Sequence, residues 1–564
     1  MLHVLMLLAA LGAWAACGHG DQGYAPGRVR EVRDVSARAI RRAIVARLRQ
    51  RAPAGVSADD WRRTRAVYRM YDDAPLWLEE KGAGDRVEAL ERAVATAPDH
   101  ALDPAPYPRA RMEQVAKSID DLDHPTAAQL ADADVAFTAA YTALAHDLLV
   151  GQVSPRSVSQ SWYIDPAPAR VDSVIGATLR APELDKAVEA LAPQSPEYAA
   201  LQHDLARYRK IVQAGGWQPV PEGKELHPGD TADPRRLAAL VARLRAEQIA
   251  PDSMRAGRTY DAALAGAVAR FQELHTIEPD SVLGAKTVEA MNVPADYRLR
   301  QIAANLERHR WLPRTLGSRF VLVNVPAFEL YAYDSGRAVL TMRVVVGAEY
   351  EGRATPVFSD SMQYVVFRPY WYVPDSIAAR EIYPKADADP DYMTRNGYEV
   401  VDEEGEERVR QQPGPDNALG LVKFIFPNDF AIYLHDTPAK SLFEQADRGA
   451  SHGCVRVQHP VQLAEFALGW PEARVRDAME HGADNHRVDL PRKLPVYIVY
   501  FTTFTRNGAL HFGDDLYDRD NALVRAVAAG ATPGRIPPVA SGVGGGAPPG
   551  GGTGGLPARD APGG

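Results

Sequence analysis

Phe320-Val321-Leu322-Val323-Asn324-Val325 and, two residues on, Phe328-Glu329-Leu330-Tyr331-Ala332-Tyr333 decide the fold class of the chain's second half. Both runs are dense in β-branched and aromatic residues, which suit a pleated, half-buried surface. Asp334-Ser335-Gly336 supplies a hairpin turn, and Ala338–Val346 reads as the returning strand. Further short runs at Tyr364–Phe367, Val422–Phe426, Phe430–Leu434 and Val496–Phe501 are separated by Gly, Pro and Asn. Many short strands with few helices predict a β-sandwich or barrel over 318–512. The charged, Pro- and Gly-containing stretch 374–420 interrupts it, and an insertion of that length in a β domain reads as a cap.

Upstream, the periodicity is helical. Ile40, Ile44 and Leu48 recur at helical spacing with arginines between them, which reads as an amphipathic scaffold helix. Trp61, Tyr68, Tyr71 and Trp77 form an aromatic stripe, read as core rather than as a ligand site. Helical stretches separated by Pro-containing turns continue to about Gly216, giving one helical domain over 28–216. Asp233-Pro234 then caps a new helix lined by Leu237, Leu240, Val241 and Leu244. Two more short helices follow, one around Leu264, Val268 and Phe271 and one from about Lys286 to Asn292, making a small three-helix module over 226–293. A linker helix over 294–317 leads into the β domain. The architecture expected is therefore multidomain α+β.

The 564 residues exceed a single core, and 46% apolar with 24% charged residues is ordinary globular composition. A net charge of −9 over this length gives no footprint for nucleic acid. Leu2 to Ala16 is a short apolar run of the kind found in secretory signals, so 1–20 reads as an export signal and the protein as periplasmic. Ala15-Ala16-Cys17 also fits the end of a lipoprotein signal, in which case Cys17 is lipidated and anchors the chain to a membrane. Past Thr532 the chain is Gly and Pro with almost no large apolar residue, and 532–564 is expected to be disordered.

Cys17 and Cys454 are the only cysteines, so no disulfide framework is possible. Cys454 lies in Ser451-His452-Gly453-Cys454-Val455-Arg456, downstream of Tyr433-Leu434-His435-Asp436. A thiol becomes a useful nucleophile as thiolate, and an imidazole can take its proton. Gly453 allows a tight turn that brings its N–H toward an oxyanion. In an extended 430–435 strand, alternation puts Phe430, Ile432 and Leu434 on the buried face, and Tyr433 and His435 on the other. In extended chain His452 falls on the same side as Cys454 and would support the thiolate or shape the loop. Arg456 would hold a substrate carboxylate. His435, His452 and Cys454 without a cysteine pair make a weak zinc signal, and neither metal nor cofactor is expected.

Together, His435 and Ser451-His452-Gly453-Cys454 followed by Arg456 resemble the active-site signature of YkuD-type L,D-transpeptidases. Thr355-Pro356-Val357-Phe358, Pro369-Tyr370-Trp371-Tyr372-Val373-Pro374, Gly414 to Gly420, Lys423-Phe424 and Phe426-Pro427-Asn428 extend the likeness to the large YcbB-like branch. Ala267-Val268-Ala269-Arg270-Phe271-Gln272 and Leu283-Gly284-Ala285-Lys286-Thr287 resemble a peptidoglycan-binding type 1 module. The resemblance implies a peptidoglycan L,D-transpeptidase acting on stem peptides and glycan strands. It implies Cys454 as nucleophile, His435 as general base held by a backbone carbonyl near Asp436, and His452 and Ser451 in support. It also implies Gly453 and Cys454 N–H groups at the oxyanion, and Arg456, Tyr433, Trp371 and Tyr372 at the substrate. The chain departs from the branch at Arg368 and Tyr372, where asparagines are usual, and at Asp375, where proline is. The same residues would serve an L,D-carboxypeptidase with water as acceptor, or an enzyme attaching proteins or D-amino acids to stems. A wall-binding scaffold with a silent catalytic domain is the alternative from another class.

Overall fold

In the computed structural model, which describes residues 29–164, 170–348, 354–403 and 406–530, helices fill the amino-terminal half and one large sheet the carboxyl-terminal half. The expected signal at 1–20 with Cys17 and the expected tail at 532–564 lie outside the described residues. Among the described residues no helix is long and apolar enough to cross a membrane.

The helical domain is built around Ala127–Val150, whose Thr126 and Gln129 close a capping box. That helix is buried on nearly every side, because it is apolar all round rather than striped. Trp77 packs on Phe137 and Tyr141 at 6.5 and 5.6 Å between ring centroids, which accounts for the aromatic stripe as core. Ile40, Ile44 and Leu48 are likewise buried in this core. The small module has a separate core formed by Leu237, Leu240, Phe271, Leu283 and Met291, among others. Its helices are Pro234–Ala246, Ala262–Leu274 and Ala285–Asn292, and Asp233 accepts the Arg235 N–H at 2.8 Å at the first of them.

The linker helix Ala295–Arg310 ties the helical domain to the sheet. On the helical-domain side, Arg310 pairs with Glu307 at 2.5 Å and donates to the Tyr198 hydroxyl at 2.8 Å and the His100 carbonyl at 2.9 Å. On the sheet side, Arg308 pairs with Asp520, which also accepts from Thr502 Oγ1 at 2.7 Å and Gln301 Nε2 at 3.1 Å. Both pairs are almost wholly buried, so removing one partner strands the other charge away from water. Asp520→Ala should therefore lower stability by about 3–5 kcal/mol. The check is the urea midpoint of the full chain, and an unchanged midpoint would contradict the assignment.

Among the described residues nine strands build the sheet: β1 Arg319–Asn324, β2 Glu329–Asp334, β3 Arg337–Gly347, β4 Phe358–Phe367, β5 Val422–Ile425, β6 Leu434–His435, β7 Gly449–Ser451, β8 Val455–Val457 and β9 His486–Val499. Pairing runs β3-β8-β6-β5-β4-β9-β1-β2 and returns to β3, so the two faces of the expected sandwich are one sheet whose ends meet. β7 adds in parallel to the end of β3. Val321, Val323, Leu330, Val344, Val365, Phe424, Leu434 and Val455 fill its interior.

Two strands run longer than their apolar cores suggest. β4 begins at Phe358 because the polar Ser359 and Asp360 still pair with β9, opposite Tyr497 and Val496. β9 starts at His486, and its register shifts between Asp489 and Leu494, around Pro491, which cannot donate to a ladder. The segment expected as a cap supplies Tyr398–Glu403 and Glu406–Gln411, which form a three-stranded sheet with Trp371–Tyr372 just before it. A small core of Val373, Ile377, Ile382 and Val409 lies beneath it.

Candidate active site

Adjacent strands bring the candidate residues together. β6 pairs with β8 in parallel, Leu434 opposite Val455 and His435 opposite Arg456. On its other edge β6 pairs with β5, Phe424 opposite Leu434 and Lys423 opposite His435. Facing residues share a side, so Phe424, Leu434 and Val455 enter the core while Lys423, His435 and Arg456 form a row on the opposite face. Cys454 immediately precedes β8, where the Val455 N–H donates to the Tyr433 carbonyl at 3.1 Å. Cys454, Tyr433, His435, Ser451, His452, Gly453, Arg456, Trp371 and Tyr372 all line one cavity of about 870 Å³ beneath the cap.

The strand expected over 430–434 is much shorter, covering only Leu434–His435. Asn428 decides this: its Oδ1 accepts the N–H groups of Phe430 (3.0 Å) and Ile432 (3.2 Å), and its Nδ2 donates to the carbonyls of Phe426 (2.6 Å) and Ile432 (2.7 Å). The turn it holds places Ala431 at φ +54°. His435 still lies off the core face, but it is only 4% exposed because the cap and neighbouring strands cover it.

The imidazole is oriented. His435 Nδ1 lies 2.6 Å from the Asp436 carbonyl, and a carbonyl only accepts, so Nδ1 carries the hydrogen and Nε2 keeps its lone pair. Burial, and then the Arg456 charge, push its pKa down to about 3, so the ring is neutral at physiological pH. Burial raises the Cys454 thiol, while the Tyr433 N–H and hydroxyl, Arg456 and Lys423 pull it the other way. The resting pair is therefore thiol and neutral imidazole. The thiol donates to the Ala431 carbonyl at 3.7 Å.

Hydrogen bonds within the cysteine loop set where its groups point. The Gly453 N–H, expected at the oxyanion, donates instead to Ser451 Oγ at 3.1 Å. Ser451 Oγ in turn donates to the Cys454 carbonyl at 2.5 Å, so the serine folds the loop on itself. Among the described residues the Cys454 N–H makes no backbone or side-chain hydrogen bond, which leaves it as the loop's open donor. His452 was expected beside the sulfur, but Gly453 at φ +118° breaks the extended alternation. Its Nε2 instead pairs with cap residue Glu381 at 2.7 Å, joining cap to loop.

Thr355 is a site-shaping residue that sequence reasoning left in a motif without a role. Wholly buried, its Oγ1 donates to the Gly453 carbonyl at 2.9 Å and accepts the Gly347 N–H at 2.9 Å, fixing the loop to the end of β3. Arg456 has no carboxylate partner among the described residues, and its buried Nε makes no hydrogen bond, so the guanidinium is open to a ligand. Arg368, one of the departures from the branch, reaches Asp484 at 2.7 Å and the Glu480 carbonyl. Its backbone is left-handed at φ +47°, a conformation asparagine adopts more readily. Tyr372, 40% exposed, does border the cavity.

Comparison with known proteins places a match to the YkuD family, described as the L,D-transpeptidase catalytic domain, over residues 318–498. A scaffold-domain family matches residues 62–205. A Haemophilus influenzae protein named "Putative L,D-transpeptidase" is 34% identical over 246 residues, spanning 40% of this chain and 49% of the relative. The chain thus spans about half the length of that relative. A crystal structure of an L,D-transpeptidase fragment from Xylanimonas cellulosilytica aligns at 17% identity and a TM-score of 0.16, covering 50% of this chain and all of that one.

Proposed function

We propose that this protein forms 3→3 cross-links in peptidoglycan through a thioester on Cys454; the matches of residues 318–498 to the YkuD L,D-transpeptidase catalytic domain and of residues 62–205 to a scaffold domain support the reading. The observation that carries the reading is the oriented, neutral His435 imidazole sharing one capped cavity with Cys454.

Cys454 attacks the amide between the third residue of a tetrapeptide stem, reacting at its L-centre, and the terminal D-Ala. The sulfur–carbon bond forms as the thiol proton passes to His435 Nε2. The Cys454 N–H and the Tyr433 hydroxyl face the developing oxyanion. The C–N bond then breaks, and His435 returns the proton to the departing D-Ala amine. A side-chain amine of a second stem attacks the thioester, gives its proton to His435, and releases the thiol. Arg456 holds a stem carboxylate, and Trp371 and Tyr372 flank the stem's path under the cap. The three-helix module at 226–293 holds glycan strands, and the protein acts after export to the periplasm.

The test is incubation of the full chain with a purified disaccharide tetrapeptide, alone and then with an added acceptor stem, and identification of products by mass. A 3→3 dimer with D-Ala release is expected. Tripeptide alone would make the protein a carboxypeptidase, and acceptor adducts of added amines would make it an exchange enzyme. No product from a folded protein would leave a silent wall-binding scaffold.

A further inference from the structure

Lys423 has no role in the chemistry above, yet it stands in the row that β5, β6 and β8 carry across the site: Lys423 opposite His435, His435 opposite Arg456. Its Nζ lies 6.0 Å from the centre of the Tyr433 ring, and Tyr433 lines the same cavity as Cys454. The side chain is half-buried, and no carboxylate pairs with it among the described residues. A cation partly withdrawn from water without a counter-ion is costly.

The groups around it do not supply that counter-ion. Arg456 on β8 is a second cation without an ion pair. Lys440 is paired with Asp436 at 2.5 Å, and the cap's Glu381 with His452 at 2.7 Å. Lys385 adds positive charge from the cap's side of the cavity. The anion that can balance Lys423 is the one the reaction creates, on the sulfur. Burial depresses the Lys423 ammonium, and an anionic Cys454 sulfur sustains it.

We infer that Lys423 is a positioning residue for the nucleophile, a counter-cation that holds the Cys454 sulfur as thiolate once its proton has left. The same charge opposes a lasting imidazolium at His435, its neighbour in the row. The proton taken from sulfur is thus not retained on the ring but passed on to the leaving amine. This second consequence rests on the acyl-transfer reading, whereas the first requires only the thiol.

Alkylation of Cys454 by iodoacetamide tests it in the full chain, with no peptide substrate. The rate is followed on the Cys454-containing peptide by mass spectrometry across pH. Lys423→Met should raise the pH midpoint by about one unit, making alkylation roughly tenfold slower at neutral pH. The rate at pH values above both midpoints should stay unchanged, and Lys423→Arg should restore the original profile. Lys423→Gln carries the same test if the methionine variant does not fold. A profile that superimposes on the unmodified protein's, or one slowed equally at every pH, would overturn the inference, the second by showing a merely structural role. A wild-type protein that forms no cross-links would leave this readout intact, so the two readings fail separately.

Discussion

Cys454→Ala should leave the protein folded and lower formation of any stem product by on the order of 10⁴-fold or more, the scale on which removing an enzyme's nucleophile acts. The stability side follows from the local structure. The loop is held by Ser451 Oγ on the Cys454 carbonyl and by Thr355 on the Gly453 carbonyl, neither of which involves the sulfur. What the substitution removes is one long contact to the Ala431 carbonyl, so the loop's geometry survives. The activity side follows from the absence of a substitute, since Cys17 is the only other cysteine in the chain. Quantifying muropeptide dimers alongside a thermal melt separates the two effects. Dimers formed at more than a hundredth of the original rate by folded Cys454→Ala protein would refute the thioester route.

His435→Gln has the next largest expected effect, a fall in kcat of about 10²- to 10⁴-fold with less change in KM, as loss of a general base gives. Glutamine keeps a donor for the Asp436 carbonyl but has no lone pair basic enough to take the thiol proton. The pH profile carries the sharper signature. With its pKa depressed to about 3, His435 stays unprotonated from about pH 4 upward, so its titration should not appear as an acid limb between pH 5 and 7. The thiol is raised instead, so kcat/KM should climb with pH above neutrality as deprotonation becomes easier. An acid limb near pH 6.5 that vanishes in His435→Gln would show the ring titrating as if exposed, contrary to its burial.

The register across β5, β6 and β8 also explains how a site with so few acids is tuned. Lys423 and Arg456 flank the imidazole from both neighbouring strands, and their charges act in the same direction on ring and sulfur. They favour anionic sulfur and disfavour a protonated ring. Both charges therefore work against a resting imidazolium at His435.

What could be read from the chain alone was local. The alternation of Phe320–Val346 announced β1, β2 and β3, because a period of two and a Ser-Gly turn are properties of neighbouring residues. Asp233-Pro234 marked a helix start for the same reason, and the hexapeptide around Cys454 with His435 pointed to the family through adjacent residues. Contacts between residues far apart in the chain were not legible. Thr355 meets Gly453 across 98 residues and His452 meets Glu381 across 71, and no local pattern encodes either distance. The 430–433 segment misled because its alternating apolar residues are overridden by one side chain, Asn428, that binds the backbone on both sides of the turn. The residue types at the site were thus set by the sequence. Which N–H remains open, which way each histidine faces and which cations stand beside the sulfur were decided by strand register and burial, since these exist only once β5, β6 and β8 have paired.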